Sequence, residues 1–323
     1  MENERRVAIL GAAGAIGRAA MDEFERRSIP VVVAGRDATK LRAAFGGRAE
    51  IRPADLSSVA QTAEALRGTR TVLYAAGVPY PQFERHPVLM RNALEAARRA
   101  GVSRLLAVSS VYSYGLPREA RVSEEHPREP ETRKGLYRKQ QEDAAMQADG
   151  EGGLRTAVLH LPDFYGPYAE NSLAMMVVQW ASRGQMVNWL GDLDAAHEFV
   201  FLPDAARVIA DLLAQEDSFG RRWNLGGPGT ITARAFISRV HEEFGRPVRA
   251  RAAGKGVLRL MGLFNPLMRE LVEMYYLGVT PVVLDDSRLS RHLGGLVKTP
   301  YPEGIRSMVG WFRDRSAAAA GRR

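Results

Sequence analysis

The sequence contains no cysteine, and its histidines are too scattered to form a metal site. Among 323 residues there are no Cys and six His. Without cysteine there can be no disulfide, no thiolate nucleophile and no thiolate zinc site. No two of the histidines are four residues apart, the spacing that places two imidazoles on one face of a helix. We therefore expect no metal centre.

Long apolar runs are also missing. A membrane span needs about 18 consecutive apolar residues, and the apolar stretch Leu173–Ala181 is far shorter and is interrupted by Gln179. The first six residues, Met1–Arg6, are mostly charged and lack the apolar core of a signal peptide. The sequence therefore predicts a cytoplasmic protein without a membrane partner.

Positive charge is in excess, but it is not concentrated in one region. The net charge of +8 comes from 45 Lys and Arg against 37 Asp and Glu. The two signs are interleaved, as in Arg118-Glu119-Ala120-Arg121, and no basic helix or stripe of the kind that reads nucleic acid is present. We expect a solvated basic surface that attracts anionic ligands, such as a phosphorylated cofactor, and no nucleic-acid partner.

The most informative segment that is present is a glycine turn near the amino terminus. A short β-rich run, Val7–Leu10, leads directly into Gly11, Gly14 and Gly17, and a helical pattern follows from Arg18. Glycines allow a tight turn and close backbone approach, and a helix N-terminus offers free N–H groups and a positive dipole end. This order of strand, turn and helix predicts a site for a dinucleotide pyrophosphate.

Strand-like and helix-like runs alternate through the first half of the chain, which predicts parallel βαβ units. After about Gly166 this rhythm changes, so we predict an α/β fold: a Rossmann-type doubly wound parallel sheet with a smaller, mostly C-terminal substrate-binding domain. The predicted bounds are 1–166 for the dinucleotide-binding domain with 197–227 returning to it, 167–196 and 228–315 for the substrate-binding domain, and 316–323 for a flexible tail.

A series of motifs in a fixed order resembles the extended short-chain dehydrogenase/reductase family, of the nucleotide-sugar epimerase/dehydratase type. The motifs are GAAGAIG, Asp55-Leu56, Ala75-Ala76-Gly77, Asn92, Ser109-Ser110 with Tyr114-Gly115, Tyr165-Gly166-Pro167, Phe199-Val200 with Asp204, and Trp223-Asn224-Leu225-Gly226-Gly227. The resemblance extends over nearly the whole chain. It implies an NAD(P)-dependent oxidoreductase or epimerase that acts on a small-molecule substrate.

The resemblance also implies which residues hold the cofactor. Asp55 is expected at the adenine amino group, although it also reads as a helix N-cap before Ser57 and Ser58. At the end of the second strand, Arg36 takes the position that selects NADP, since a guanidinium pairs with a 2′-phosphate, while the neighbouring Asp37 argues for NAD. We expect NADP in preference to NAD. The implied cofactor-binding residues are Gly11, Ala13, Gly14, Ala15, Ile16, Gly17, Arg36, Asp55, Leu56, Ala75, Ala76 and Gly77.

The catalytic group is where the sequence departs from this family, which uses Tyr-x-x-x-Lys on one helix together with a Ser or Thr after the fifth strand. Ser110 matches the last position. Counting from Tyr137 places Gln141 where Lys belongs. We favour a second register, in which Glu142 is aligned with the Glu that usually falls eight residues after the Tyr of this family. In that register Lys134 takes the Tyr position and Arg138 takes the Lys position. The candidate catalytic residues are Ser110, Lys134, Tyr137 and Arg138.

Lys134 is expected to move a proton, because burial and the positive charge of Arg138 would lower its pKa. The candidate substrate residues are Tyr112, Asp163, Tyr165 and His197. Because the Tyr/Lys pair is missing, the alternative is an NADP-binding regulator or scaffold that has lost the chemistry. Family members commonly dimerise through two helices, and Val88–Ala100 and Tyr137–Ala148 are the candidate helices for such a homodimer.

Overall fold

The central element is a seven-stranded parallel sheet in the order β10-β6-β5-β4-β1-β2-β3. The computed structural model describes residues 6–264 and 266–320. This order reverses direction beside β1, as in doubly wound Rossmann sheets, so the predicted fold class is confirmed. The strands of the sheet are β1 (Val7–Leu10), β2 (Val31–Gly35), β3 (Glu50–Pro53), β4 (Thr71–Tyr74), β5 (Arg104–Ser110), β6 (Arg155–Leu161) and β10 (Arg221–Asn224).

Both faces of this sheet are covered by helices, which explains why its inner strands are continuously apolar. Successive side chains of a strand point to opposite faces, so Val7 and Ile9 pack into one core while Ala8 and Leu10 pack into the other. The first core is closed by α1 (Ala15–Arg26), α2 (Ala38–Phe45) and α7 (Leu202–Ala214), and the second by α3 (Val59–Leu66), α4 (Arg85–Arg99) and α5 (Arg133–Gln147).

A third core lies in the C-terminal half and around two small sheets. One small sheet contains β7 (Asp163–Tyr165), β9 (Ala196–Phe201) and β11 (Thr230–Thr232), and the other pairs β8 (Val187–Leu190) with β12 (Ala250–Ala253). In the part of the chain that the structure describes, no helix is both long and apolar enough to span a membrane. The remaining helices are α6 (Leu173–Ser182), α8 (Ala233–Glu243), α9 (Lys255–Gly262), α10 (Pro266–Met274), α11 (Ser287–His292) and α12 (Tyr301–Ala320).

Two predicted boundaries need correction. The helix predicted to begin at Tyr137 begins at Arg133, because the side chain of Thr132 accepts a hydrogen bond from the Gly135 N–H and caps it. The segment 316–323, predicted as a flexible tail, is helical as far as Ala320, where a run of alanines continues α12. The last three residues of that segment lie outside the described part of the chain.

Candidate active site

The glycine turn has the close backbone packing that the sequence predicts. Gly11 has φ of +90°, and a Cβ atom there would lie 2.6 Å from the backbone of Ala76. The Gly14 N–H donates to the Gly11 carbonyl at 3.0 Å, and α1 begins at the next residue without a side-chain cap. A Cβ at Gly17 would meet Ala12 Cα at 2.6 Å, so that glycine sets the approach of α1 to the turn. The first N–H groups of α1 therefore remain available to an anion.

A cleft in two parts runs along the carboxyl ends of the parallel strands, the edge at which α/β sheets bind ligands. The part beside Arg36, here called the Arg36 half, encloses about 410 Å³. The part beside Arg138, here called the Arg138 half, encloses about 280 Å³. The two halves share the walls formed by Gly14, Ala75, Ala76 and Gly77.

Most of the predicted cofactor residues lie along this cleft. The Arg36 half is lined by Gly11, Ala13, Gly14, Arg36, Asp55, Leu56, Ala75, Ala76 and Gly77, and the Arg138 half by Gly14, Ala15, Ile16, Ala75, Ala76 and Gly77. Among the described residues, Gly17 lines neither half of the cleft. It packs against Ala12 instead, so its role is in packing.

The Arg36 half is lined by three basic side chains, those of Arg36, Lys40 and Arg85. Arg36 is exposed and forms no ion pair with any carboxylate in the described ranges. The Asp37 side chain accepts from the Lys40 N–H at 3.0 Å and caps α2. The carboxylate of Asp37 is thus engaged in its own helix, where it also lies 3.7 Å from Lys40 Nζ. Arg36, Lys40 and Arg85 outnumber the two carboxylates that line this half, those of Asp37 and Asp55.

Asp55 lies in the Arg36 half without capping α3. The cap is Ser58, whose hydroxyl accepts from the Gln61 N–H, while Asp55 accepts from the Ser57 N–H at 2.8 Å. That backbone hydrogen bond, together with the positive charge of Arg36, lowers the pKa of Asp55 despite the opposing effect of burial. Asp55 is therefore an ionised acceptor beside the cleft.

Arg138 lines the other half of the cleft. Its guanidinium lies 5.3 Å from the ring centroid of Phe83, and its Nη1 donates to Gln141 Oε1 at 3.0 Å. Its Nε has no partner, and no described carboxylate forms an ion pair with it. Burial lowers the pKa of Arg138, but a guanidinium stays charged. It therefore presents to the cleft a positive charge that has no direct ion-pair partner in the described chain, although the Glu142 carboxylate acts on it from a distance.

Two tyrosines meet in the same half. The hydroxyl oxygens of Tyr80 and Tyr112 are 2.8 Å apart, and both rings line the cleft beside Ser110. Ser110 Oγ is buried and has no hydrogen-bond partner in the described chain. Burial raises the pKa of both phenols, and the charge of Arg138 partly opposes this effect. The three hydroxyls form a set of neutral donors and acceptors.

Asp163 completes this half of the cleft. Burial raises the pKa of Asp163 to about 6, so its carboxylate takes up a proton at a higher pH than that of an ordinary aspartate. Its charge also helps to raise the pKa of Tyr80 and Tyr112. Of the predicted substrate residues, Tyr112 and Asp163 are brought together here. Tyr80 was missed by sequence reasoning; the only available indication was its place in the loop after β4, since such loops lie at the binding edge.

Lys134 does not have the environment predicted from the sequence. Its Nζ forms ion pairs with Glu270 and, at 2.8 Å, with Glu273 of α10. Burial alone would lower the pKa of Lys134, but the two carboxylates outweigh it and raise the pKa above the usual value. The predicted lowering was wrong because residues far along the chain supply two negative charges. Lys134 is a protonated anchor for α10, and it does not line the cleft.

Three other candidates lie away from both halves of the cleft. Tyr137 accepts a hydrogen bond from Arg133 on the surface of α5. Tyr165 is fully buried against the ring of Phe201, in the third core. His197 is buried edge-on to Trp189, and burial lowers its pKa to about 4. Tyr137 is thus a surface residue, and Tyr165 and His197 face the packing between small strands and helices, so none of the three lines the cleft.

A buried polar network supports the wall of the Arg138 half. Glu142 accepts from Ser109 Oγ at 2.5 Å and from Arg128 at 2.9 Å, and His160 Nε2 lies 3.1 Å from its carboxylate. Burial opposes ionisation, but these partners lower the pKa of Glu142 to about 2. The network ties α5 to the carboxyl ends of β5 and β6. It therefore fixes Arg138, one turn away on α5, relative to Ser110.

The fold and the cleft define a Rossmann-type enzyme built to hold a nicotinamide dinucleotide. The chain belongs to the NAD dependent epimerase/dehydratase family, whose model matches residues 7–226. Its curated relatives include the uronate dehydrogenases of Pseudomonas putida, 26% identical over 56% of this chain and 68% of theirs, and of Pseudomonas syringae pv. tomato, 26% identical over 63% of this chain and 72% of theirs. The enzyme class is thus that of NAD(P)-dependent oxidoreductases and epimerases.

Solved structures with the same fold are more distant in sequence. MoeE5 in complex with UDP-glucuronic acid and NAD has a TM-score of 0.80 at 22% identity, covering 96% of this chain and 99% of that one. The dTDP-glucose 4,6-dehydratase DesIV from Streptomyces venezuelae, with NAD bound, has a TM-score of 0.80 at 21% identity, covering 97% and 98%. At these identities the likeness establishes the architecture.

Proposed function

We propose that this protein is an NADP-dependent oxidoreductase or epimerase that acts on a hydroxyl or carbonyl carbon of a small, sugar-like substrate. The observation that supports it best is the two-part cleft, whose halves share Gly14 and Ala75–Gly77. A dinucleotide has two nucleosides joined by a pyrophosphate, and this cleft has two chambers joined at a glycine turn. The uronate dehydrogenases among its relatives make uronates and related sugar acids the first substrates to test.

The cleft residues fit the coenzyme. Gly11 and Gly14 give the pyrophosphate room, the start of α1 supplies N–H donors, and the unpaired Arg138 supplies a donor for the nicotinamide riboside. When bound, the coenzyme supplies hydride exchange with the substrate carbon. Preference for NADP rests on the three cations that line the Arg36 half, Arg36, Lys40 and Arg85, because two or three cations favour binding of a 2′-phosphate.

Proton transfer is assigned to Tyr112, with Tyr80 as its relay. Both phenols share the cleft with Ser110 and Arg138, but Tyr112 is only two residues from Ser110, directly after β5, and its partner at 2.8 Å gives the proton a path. In this arrangement Ser110 orients the substrate oxygen, and Tyr112 Oη gives or takes its proton. Lys134 is given no proton-transfer role because its two carboxylate partners keep it charged.

Oxidoreductase turnover is tested by the absorbance of the coenzyme, with uronates, aldoses and simple secondary alcohols offered in turn. Epimerase turnover leaves the coenzyme unchanged overall, so it is tested by chromatography of the same sugars for a new epimer. The proposal is supported if turnover is faster with NADP than with NAD and if the Tyr112→Phe variant turns over more slowly than the wild type. Binding of coenzyme without turnover on any of these substrates would instead favour a regulator, the second candidate. That candidate is favoured by the placement of Lys134, which contributes a structural ion pair where the family has a catalytic tyrosine.

A further inference from the structure

One segment of the C-terminal half carries positive charge that no acidic residue interrupts. Between Phe244 and Arg269 the sequence contains six Lys and Arg and no Asp or Glu. The carboxylates that precede this segment, Glu242 and Glu243, pair with Arg239 and Arg306, which lie outside it. The two signs of charge are interleaved elsewhere in the chain, but not here. The six cations are Arg246, Arg249, Arg251, Lys255, Arg259 and Arg269.

The same segment holds three large apolar side chains in solvent. Leu260 is 64% exposed, Leu263 is 74% exposed and Phe264 is 87% exposed. They are three of the four most exposed large apolar side chains of the described chain, and they lie within five residues of each other. Single exposed apolar residues are ordinary, but a contiguous group marks a surface that meets another molecule. These three residues are here called the apolar tip.

The apolar tip lies at the corner between α9 and α10. Leu258 of α9 is buried and holds that helix on the protein, whereas Leu260, about 200° further around the helix, faces solvent. The Leu263 N–H donates to the Leu260 carbonyl at 3.2 Å where α9 ends, and α10 begins soon afterwards at Pro266. The tip is therefore a protrusion at a helix corner.

Cations border the apolar tip on both helices. Lys255 and Arg259 are four residues apart, so they lie on one face of α9, and both are exposed. Arg269 is exposed on α10. The carboxylates nearest to it in the sequence, Glu270 and Glu273, bind Lys134 instead. Apolar side chains bordered by unpaired cations are the pattern by which helices contact anionic lipid.

We propose that the corner between α9 and α10 docks on the surface of an anionic lipid bilayer. The apolar tip would enter the boundary between headgroups and acyl chains, and the flanking cations would lie among the headgroup phosphates. Such docking requires no membrane-spanning run of residues, and it does not depend on the proposed enzymatic function.

The charge of the segment favours a bilayer over other partners. A second copy of this chain that used the same surface would bring like charges together, because a two-fold interface pairs a patch with itself. A nucleic acid would contact the cations through its phosphates and leave the apolar tip in water. A fluid bilayer accepts a protruding tip without a preformed groove, and an anionic one also compensates the cations.

The test is sedimentation of the full chain with two kinds of lipid vesicle. One kind contains equal parts of phosphatidylglycerol and phosphatidylcholine, and the other contains phosphatidylcholine alone. We expect binding to the anionic vesicles to be about tenfold tighter or more, because each cation near an anionic surface adds to the attraction. High salt should remove this preference by screening.

Two variants with matched controls separate the apolar contact from the charge. Phe264→Ser should weaken binding to the anionic vesicles about fivefold or more, because less apolar surface enters the bilayer. Its control, Val297→Ser, removes an apolar side chain that is 80% exposed beside the first core. Arg259→Glu should weaken binding about tenfold, and its control is Arg42→Glu, the same change of charge at an exposed position of α2. Both controls should bind as the wild type does.

A fluorescence measurement reports the position of the tip itself. In Phe264→Trp the added indole should shift its emission to shorter wavelength when anionic vesicles are added, and in Val297→Trp it should not. The proposal is overturned if the wild type does not prefer anionic vesicles, or if Phe264→Ser binds them as the wild type does. It is also overturned if the wild type self-associates through the tip, so that Phe264→Ser is monomeric, and neither binds vesicles. Coenzyme titration of the same variants reports separately on the cleft.

Discussion

Tyr80 and Tyr112 are 32 residues apart in the chain, and their hydroxyl oxygens lie 2.8 Å apart within the cleft. Each tyrosine follows a parallel strand, Tyr80 after β4 and Tyr112 after β5, so the sheet brings them together. Gly135 allows α5 to approach this point, because a Cβ there would lie 2.6 Å from the Tyr112 carbonyl oxygen. The pair thus places two phenols beside Ser110 in the Arg138 half of the cleft.

Removing the Tyr112 hydroxyl is expected to slow turnover without weakening the binding of the coenzyme. General acid–base catalysis contributes about 100-fold or more, so kcat of Tyr112→Phe should fall by that factor. Tyr80→Phe should have a smaller effect, since only the relay is lost. Steady-state kinetics and coenzyme titration measure the two quantities. Tyr137→Phe is the matched control, and a larger loss there than in Tyr112→Phe would contradict the assignment.

Arg138 is expected to hold the coenzyme. Its guanidinium reaches the cleft without a carboxylate partner, and a hydrogen bond from a charged group is worth about 1.5–3 kcal/mol. Arg138→Ala should therefore raise the Kd of the coenzyme roughly tenfold or more, measured by calorimetry. Arg133→Ala, five residues earlier on the same helix, should have no effect. Equal losses in both variants would mean that helix α5 as a whole had shifted.

The raised pKa of Asp163 predicts a stability effect with a definite sign. Burial favours its protonated form, with a folded pKa of about 6. The contribution of Asp163 to the free energy of unfolding is complete below about pH 4, the ordinary pKa of an aspartate. It is lost as the pH rises through 6. Relative to the wild type, Asp163→Asn should gain about 1–3 kcal/mol in unfolding free energy between pH 4 and pH 7.

Urea unfolding at the two pH values measures this difference. Asp314→Asn, at an exposed position of α12, should have the same free energy of unfolding relative to the wild type at both pH values. If Asp163→Asn behaves as that control does, then the carboxyl of Asp163 is solvated in solution and titrates as an ordinary aspartate.

Lys134 is expected to anchor α10 instead of moving a proton. Lys134→Met breaks its ion pairs with Glu270 and Glu273, so amide hydrogen exchange should accelerate in α10 while the pH profile of turnover keeps its shape. Lys139→Met, which breaks the ion pair with Asp143 on the same helix, should leave exchange in α10 unchanged. A displaced pH profile with unaltered exchange would restore Lys134 to a catalytic role.

The sequence was sufficient for the fold class and for the glycine turn, because the strand, turn and helix patterns that indicate them are local. Val7–Leu10 and Gly11–Gly17 are adjacent in the chain, so their arrangement follows from the order of residues alone. The environment of Lys134 could not be predicted, since its partners lie more than 130 positions away in α10. Tyr80 was missed for a similar reason: Pro79 and Pro81 mark a loop, and a loop pattern does not specify what its side chains contact.

The central claim is that the two-part cleft binds NADP, and calorimetric titration of the wild type and Arg36→Ala with NADP and NAD tests it most directly. We predict one site per chain, with NADP bound more tightly than NAD by the wild type. In Arg36→Ala the affinity for NADP should fall about tenfold while that for NAD stays within twofold, since only the 2′-phosphate loses its guanidinium. An absence of binding heat with both coenzymes would contradict the account.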